Sequence, residues 1–216
     1  MRRVHFFCEG QTEETFVREL LYDHFLRFNI LANPIVLRTS RTGKGGVSTY
    51  KKIERQIRRK CLEDANSTVT TMIDYYGLPN AFPGKNTMPQ FTNPIARAVY
   101  VEQCFQNDIG QRGFIANLLI HEFEGLLFSE PDAFKNWFNL EAVSILAQER
   151  SRFETPEHIN DDPLTAPSKR ILRLCPGYEK ITHGSLIALD IGLDRIRQAC
   201  PHFSSWLTRI EQLTDG

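Results

Sequence analysis

Apolar and polar positions fall into blocks that change period along the chain. Residues 3–8 are mostly apolar and run into the polar cluster Glu9-Gly10-Gln11-Thr12-Glu13-Glu14. Beyond it Phe16, Leu20, Leu21, Phe25 and Phe28 recur at helical spacing. This predicts a strand over 3–8, a tight turn, and a helix over 12–29. Thr12 is the expected N-cap, Glu13 and Glu14 suit the positive end of the helix dipole, and Gly10 gives the turn its freedom. After a break over 29–34, Ile35-Val36-Leu37 reads as a short second strand and 47–63 as a helix. The β-branched stretch 68–74 is a third strand, the Pro-, Gly- and Asn-rich stretch 80–92 an irregular loop, and 94–106 a helix. Residues 114–120 are almost wholly apolar, which predicts a central fourth strand. The remainder reads as helical. A helix over 131–152 has Phe134, Trp137, Phe138 and Leu140 as its core, and a polar link covers 154–162. Another helix starts near Ser168, and three more follow at 184–191, 193–199 and 202–213, with Trp206, Leu207, Ile210 and Leu213 buried.

Strands alternating with helices predict an α/β fold with a parallel sheet and right-handed crossovers. We expect an α/β core over 1–128 with a helical part over 129–216 packed on it as one unit. A parallel sheet places all C-terminal strand tips on one edge, where open α/β sheets bind ligands. Glu9 ends the first strand, Asp74 the third, and His121-Glu122-Phe123-Glu124 the fourth, while Glu13 stands at a helix start beside them. Carboxylates converging in this way suit a hard divalent cation. The plainer readings are helix-start acids for Glu13 and Glu14, a turn aspartate for Asp74, and a helix cap for one of Glu122 and Glu124. His183 and His202 read as structural hydrogen-bonding residues.

Composition narrows the field. The 216 residues carry 26 basic and 26 acidic side chains, so a nucleic-acid surface must be a local patch. The most basic stretch runs from Arg38 to Lys60. Within it Arg41, Lys44, Lys51, Arg55 and Arg58 are candidate contacts to a phosphate backbone, against the alternative of a solvated helix face. Its glycine loop lacks the spacing of a nucleotide P-loop. No apolar run reaches the length of a membrane span, and the N-terminus lacks a signal-peptide pattern. Five scattered cysteines without a C-x-x-C pair fit reduced thiols in the cytoplasm.

Cys8-Glu9-Gly10-Gln11-Thr12-Glu13 resembles the E-G-x-T-E opening of Toprim-type domains, as in overcoming-lysogenization-defect nucleases. Taken with segments 73–79, 121–128 and 200–203, the chain resembles the bacterial domain of unknown function 4276 over nearly its whole length. The resemblance implies a Toprim-like core of about four strands. It implies Mg²⁺ or Mn²⁺ held by Glu9, Glu13, Asp74 and Glu124, and Glu9 as general base or acid. Glu124 is chosen over Glu122 because RloB-like relatives carry a phenylalanine–glutamate pair before a leucine-rich helix. Related Toprim nucleases often use a lysine at the acidic edge, which selects Lys169 and Lys180. The implied activity is phosphodiester hydrolysis of DNA or RNA in antiphage defence, beside an ABC-type ATPase. The chain departs from the wider Toprim pattern at Asp74-Tyr75-Tyr76, where D-x-D is usual. That departure favours the alternative, a non-catalytic binding or sensor subunit of such an ATPase. A transferase acting on nucleotides is a third reading.

Overall fold

In a computed structural model, which describes residues 1–38, 49–159, 162 and 164–215, the opening apolar block is strand β1 (Arg2–Cys8). A helical run follows: α1 (Gln11–Phe16), a π-helical stretch (Val17–Leu21) and α2 (Tyr22–Leu26). Its N-cap is Gly10 rather than Thr12. The Gly10 N–H donates to Glu13 Oε2 at 2.9 Å, and Thr12 lies buried inside the first turn. The run ends earlier than the periodicity predicts. Asn29 takes a left-handed φ of 58°, and Phe28 lies beyond the helix and is exposed.

The expected break over 29–34 is instead most of strand β2 (Ile30–Val36), parallel to β1 with Arg2 opposite Ile30 and Cys8 opposite Val36. Pro34 is tolerated because β2 is an edge strand, where proline withholds no ladder hydrogen bond. The expected basic loop, with Arg41 and Lys44, lies outside the described residues. Helix α3 (Tyr50–Glu63), strand β3 (Thr68–Met72), helix α4 (Pro94–Ile109) and the short strand β4 (Phe114–Ile115) complete the α/β part. The Asn93 side chain caps α4 through the N–H groups of Ile95 and Ala96.

The sheet is parallel throughout, in the order β2-β1-β3-β4. The fourth strand is therefore at an edge, not the centre, and is shorter than expected. Side chains replace the ladder where it stops. Gln106 accepts from the Ala116 N–H, Glu102 accepts from the Leu118 N–H, and the Asn117 amide donates to the Thr71 carbonyl. The segment is apolar because helices cover it. Pairing resumes at a single bridge between Asp74 and Leu119.

The C-terminal part is helical: α5 (Glu124–Leu127), α6 (Leu140–Arg150), α7 (Pro167–Leu174), a π-helical turn (Lys180–Gly184), α8 (Ser185–Ile191), α9 (Leu193–Ala199) and α10 (Pro201–Glu211). The single helix expected over 131–152 is split, with a 3₁₀ turn (Pro131–Asn136) before α6. The Asn139 side chain caps α6. The split turns Trp137 and Leu140 out of the core, and Trp137 donates its indole N–H to Asp190.

Alternation along β1 sends neighbours to opposite faces. Phe6 packs with Phe16, Phe25, Trp206 and Leu207, so the C-terminal helices and the first helical run close one face of the sheet. Phe7 packs with Ile53 and Ile57 of α3 and with Val101 and Phe105 of α4 on the other. Each buried phenylalanine contributes about 1.5–3 kcal/mol. Packing on both faces fixes the strand tips, and with them any side chain mounted there.

Candidate functional site

Glu9 follows β1 and is held at both ends. Its N–H donates to the Met72 carbonyl at 3.1 Å, and its Oε2 accepts from the Asp74 N–H at 3.0 Å. Asp74 lies two residues beyond β3. Its Oδ1 accepts from the Phe123 N–H at 2.9 Å, which ties the third strand tip to the fourth. Glu124 opens α5 and is buried, and Glu13 is buried in the first turn of α1. Four of the acids expected at the edge are thus brought together by backbone hydrogen bonds and packing.

Lys180 enters this cluster from the π-helical turn before α8. Its Nζ lies 3.1 Å from Asp74 Oδ2, 3.3 Å from Glu124 Oε2 and 3.4 Å from Glu13 Oε1. The Lys180 side chain is 36% exposed, against 2% for Glu13, 3% for Glu124 and 10% for Asp74. Burial opposes the ammonium charge, but Asp74, Glu124 and Glu13 outweigh it and hold the lysine pKa well above its ordinary value. The acids show the converse. Burial, with the charge of Asp74 next, pushes Glu9 up to about 8. Burial also pushes Glu124 up to about 7, against the pull of Lys180. Glu13 is raised by burial, and Lys180 opposes the shift. Burial thus favours the neutral forms of Glu9, Glu13 and Glu124 over their charged forms.

Two further features border the cluster. Tyr178 is buried, its hydroxyl makes no well-formed hydrogen bond, and its pKa is raised by burial and then by the charge of Glu124. Gly184 is confined by that hydroxyl: a Cβ there would stand 2.9 Å from Tyr178 Oη and 3.6 Å from a methyl of Thr12. Neither role is legible in the sequence, because a tyrosine two residues before a lysine carries no signal of what it will face.

The other candidates lie apart. Both Glu122 oxygens accept from Ser168, one from its N–H at 2.9 Å and one from its hydroxyl at 3.1 Å, so Glu122 caps α7. Lys169, the next residue, is exposed and makes no ion pair among the described residues. His183 Nδ1 accepts from the Glu179 N–H within its own turn. His202 Nε2 lies 3.0 Å from Glu102 Oε1. This pair borders a cleft of about 570 Å³ between α4 and α10, lined also by Gln106 and Asn117. The polar groups of that cleft are spent on the fold, since Glu102, Gln106 and Asn117 serve the backbone of β4 and its continuation. On α3, Lys51 and Arg55 are exposed and make no ion pair among the described residues. Arg58 is engaged with Glu54 at 2.8 Å and with the Asp108 carbonyl at 2.5 Å. Helix α3 starts on the edge of the strand tips and runs away from it, reaching Asp64, which pairs with Arg3 and His5 in the first half of β1. Lys51 is thus nearest the acidic edge.

Carboxylate oxygens are the donors that Mg²⁺ and Mn²⁺ take. Glu13 Oε1 is buried without a hydrogen bond. The donor chemistry therefore fits a hard cation. The arrangement as it stands does not ligate one: among the described residues no three acid, histidine or cysteine side chains are grouped to hold a metal ion. The ammonium of Lys180 fills the space between them. At Tyr76, where D-x-D has its second acid, the side chain is a partly exposed phenol.

A family model described as Domain of unknown function (DUF4276) matches residues 8–211. No curated protein and no solved structure matches the chain. No helix among the described residues is long and apolar enough to cross a membrane.

Proposed function

The chain belongs to the DUF4276 family, and from that premise we propose that it is a Toprim-like, metal-dependent nuclease that hydrolyses phosphodiester bonds. The observation that carries this reading is the set of four carboxylates, Glu9 and Asp74 from strand tips and Glu13 and Glu124 from helix starts, three of them round a single lysine and Glu9 bonded to the Asp74 N–H. Glu9, Glu13, Asp74 and Glu124 would hold one or two Mg²⁺ or Mn²⁺ ions. The bound metal supplies Lewis-acid activation of water and neutralises charge on the scissile phosphate.

The chain's own residues supply the rest. Glu9 Oε2 is anchored by the Asp74 N–H, which leaves Oε1 to exchange a proton. With its pKa near 8, Glu9 is poised between acid and base at neutral pH. Lys180 stays charged throughout and can oppose the negative charge that develops on phosphate. Lys51 and Arg55 would track the nucleic-acid backbone, with Arg41 and Lys44 of the preceding loop. By the Toprim resemblance the setting is antiphage defence in the cytoplasm, with an ABC-type ATPase as partner.

A cleavage assay on labelled DNA and RNA tests this. Wild type should cut with Mn²⁺ or Mg²⁺ and stop in EDTA, and Glu9→Gln should lose about 10²–10⁴-fold in rate. A Glu9→Gln protein that cuts as fast as wild type sinks the proposal. One observation favours a second reading, a non-catalytic binding or sensor subunit of the same ATPase: a phenol, Tyr76, stands where D-x-D has its second acid. Binding of nucleic acid or ATPase without any metal-dependent cleavage would select it.

A further inference from the structure

Lys180 stands where a cation between Asp74, Glu124 and Glu13 would stand. Its three ion-pair distances, 3.1, 3.3 and 3.4 Å, differ little, so the ammonium is shared among the three carboxylates rather than paired with one. A divalent ion bound by the same oxygens must sit about 2.0–2.6 Å from them. Ammonium and metal cannot both occupy that space.

The two sides of the cluster differ in how firmly they are held. Glu9 and Asp74 are pinned by backbone N–H groups at the ends of packed strands, and Glu13 is pinned to Gly10. Lys180 begins a single π-helical turn, Lys180–Gly184, in which Ile181 is 56% exposed. Turns of this kind are rare and concentrate at functional sites. Glu13 Oε1 is buried and faces the ammonium at 3.4 Å, and the buried Tyr178 Oη beside the cluster makes no well-formed hydrogen bond. A buried hydroxyl without a well-formed hydrogen bond is costly, and Tyr178 Oη would find a partner in the water of a bound ion.

We propose that Lys180 is a tethered counter-ion that competes with the divalent cation, and that the Lys180–Gly184 turn moves outward when metal enters. The proposal rests on the metal-binding reading above and adds to it that metal affinity is set by a residue that must leave.

Calorimetric titration with Mn²⁺ on the full chain tests it. Lys180→Met removes the charge and keeps the bulk, and it should bind Mn²⁺ about tenfold or more tightly than wild type. Lys180→Arg keeps the charge and should not gain. Thermal midpoints give a second readout: the rise between EDTA and saturating Mn²⁺ should be larger for Lys180→Met than for wild type. Equal or weaker Mn²⁺ binding by Lys180→Met overturns the competition while leaving the metal site intact. A Lys180→Met protein that stays unfolded even in Mn²⁺ also overturns it, since metal then fails to replace the ammonium. Absence of binding in every variant, wild type included, removes the metal-binding reading and this proposal together.

Discussion

Lys180 and Asp74, 106 positions apart in sequence, meet with Nζ 3.1 Å from Oδ2. The contact joins a C-terminal helical turn to the tip of a central strand. Neither the α/β part nor the helical part holds the complete cluster, because Glu9, Glu13 and Asp74 come from one and Glu124 and Lys180 from the other. The site exists only when both are folded together.

The first prediction concerns pH. Glu9 and Glu124 ordinarily titrate near 4.5 and are raised to about 8 and about 7 in the folded protein. The folded state then holds protons that the unfolded chain releases above pH 4.5. The resulting stabilisation is present in full below that pH and is lost as pH rises through 7 to 8. Wild type in EDTA should therefore melt lower at pH 9 than at pH 5. Glu9→Gln should show a shallower fall, and at pH 9 should melt higher than wild type by a few degrees, at about 2–4 °C per kcal/mol. Parallel melting curves for the two proteins across this range would contradict the raised Glu9.

The second concerns nucleic acid. Lys51 and Arg55 of α3 are exposed and make no ion pair among the described residues, whereas Arg58 is committed to Glu54 and Asp108. Each phosphate contact adds about 0.9 to the slope of log affinity against log salt on duplex DNA. Charge reversal at Lys51 and Arg55 together should flatten that slope by about 2. Replacing Arg58 alone should change stability more than the slope. A slope indifferent to the double reversal reduces α3 to a solvated face.

The third tests the wall behind the lysine. Gly184→Ala drives a methyl against the Tyr178 hydroxyl, 2.9 Å from the new Cβ. It should cost about 1–3 kcal/mol as overpacking. Tyr178→Phe removes a buried hydroxyl that lacks a hydrogen bond and should be neutral or slightly stabilising. The double variant should recover part of the Gly184→Ala loss. Urea titrations of all four proteins give the coupling energy, and strict additivity would show that the two positions do not press on each other.

The fourth concerns Glu157, a carboxylate with no part in the acidic edge. Its two oxygens accept from the His202 and Phe203 N–H groups, each at 2.9 Å, and so cap α10. Glu157→Ala leaves two buried donors unpaired and should cost on the order of 3 kcal/mol, read as a lower urea midpoint. A loss below about 0.5 kcal/mol would mean that water reaches those N–H groups.

Much of the fold is legible because period and burial coincide. The β1 block, the α3 and α4 helices and the last helices each carry a pattern that their packing repeats. The misreadings share one cause, contact with partners far along the chain. Residues 30–34 read as a break because Pro34 argues against a strand, yet an edge position removes the objection. Residues 114–120 read as a central strand because both faces are apolar. Their burial comes from covering helices, and Gln106 and Glu102 of α4 take the backbone groups that a neighbouring strand would have taken. At the site, the strand-tip acids are legible from their place at the ends of apolar runs. The geometry of Lys180 and Tyr178 is not, because it is set by how a π-helical turn docks across the sheet edge.

That same capping at β4 bears on how the protein behaves in a crowded cell. An open sheet margin is a template on which another chain can add a strand, and through which partly folded chains aggregate. Here the N–H groups of Ala116 and Leu118 are already occupied by side chains of α4, while Pro34 interrupts the opposite margin at β2. Both flanks resist strand addition. Any assembly of copies, or any partner, must accordingly build its interface on helices and loops rather than by extending the sheet.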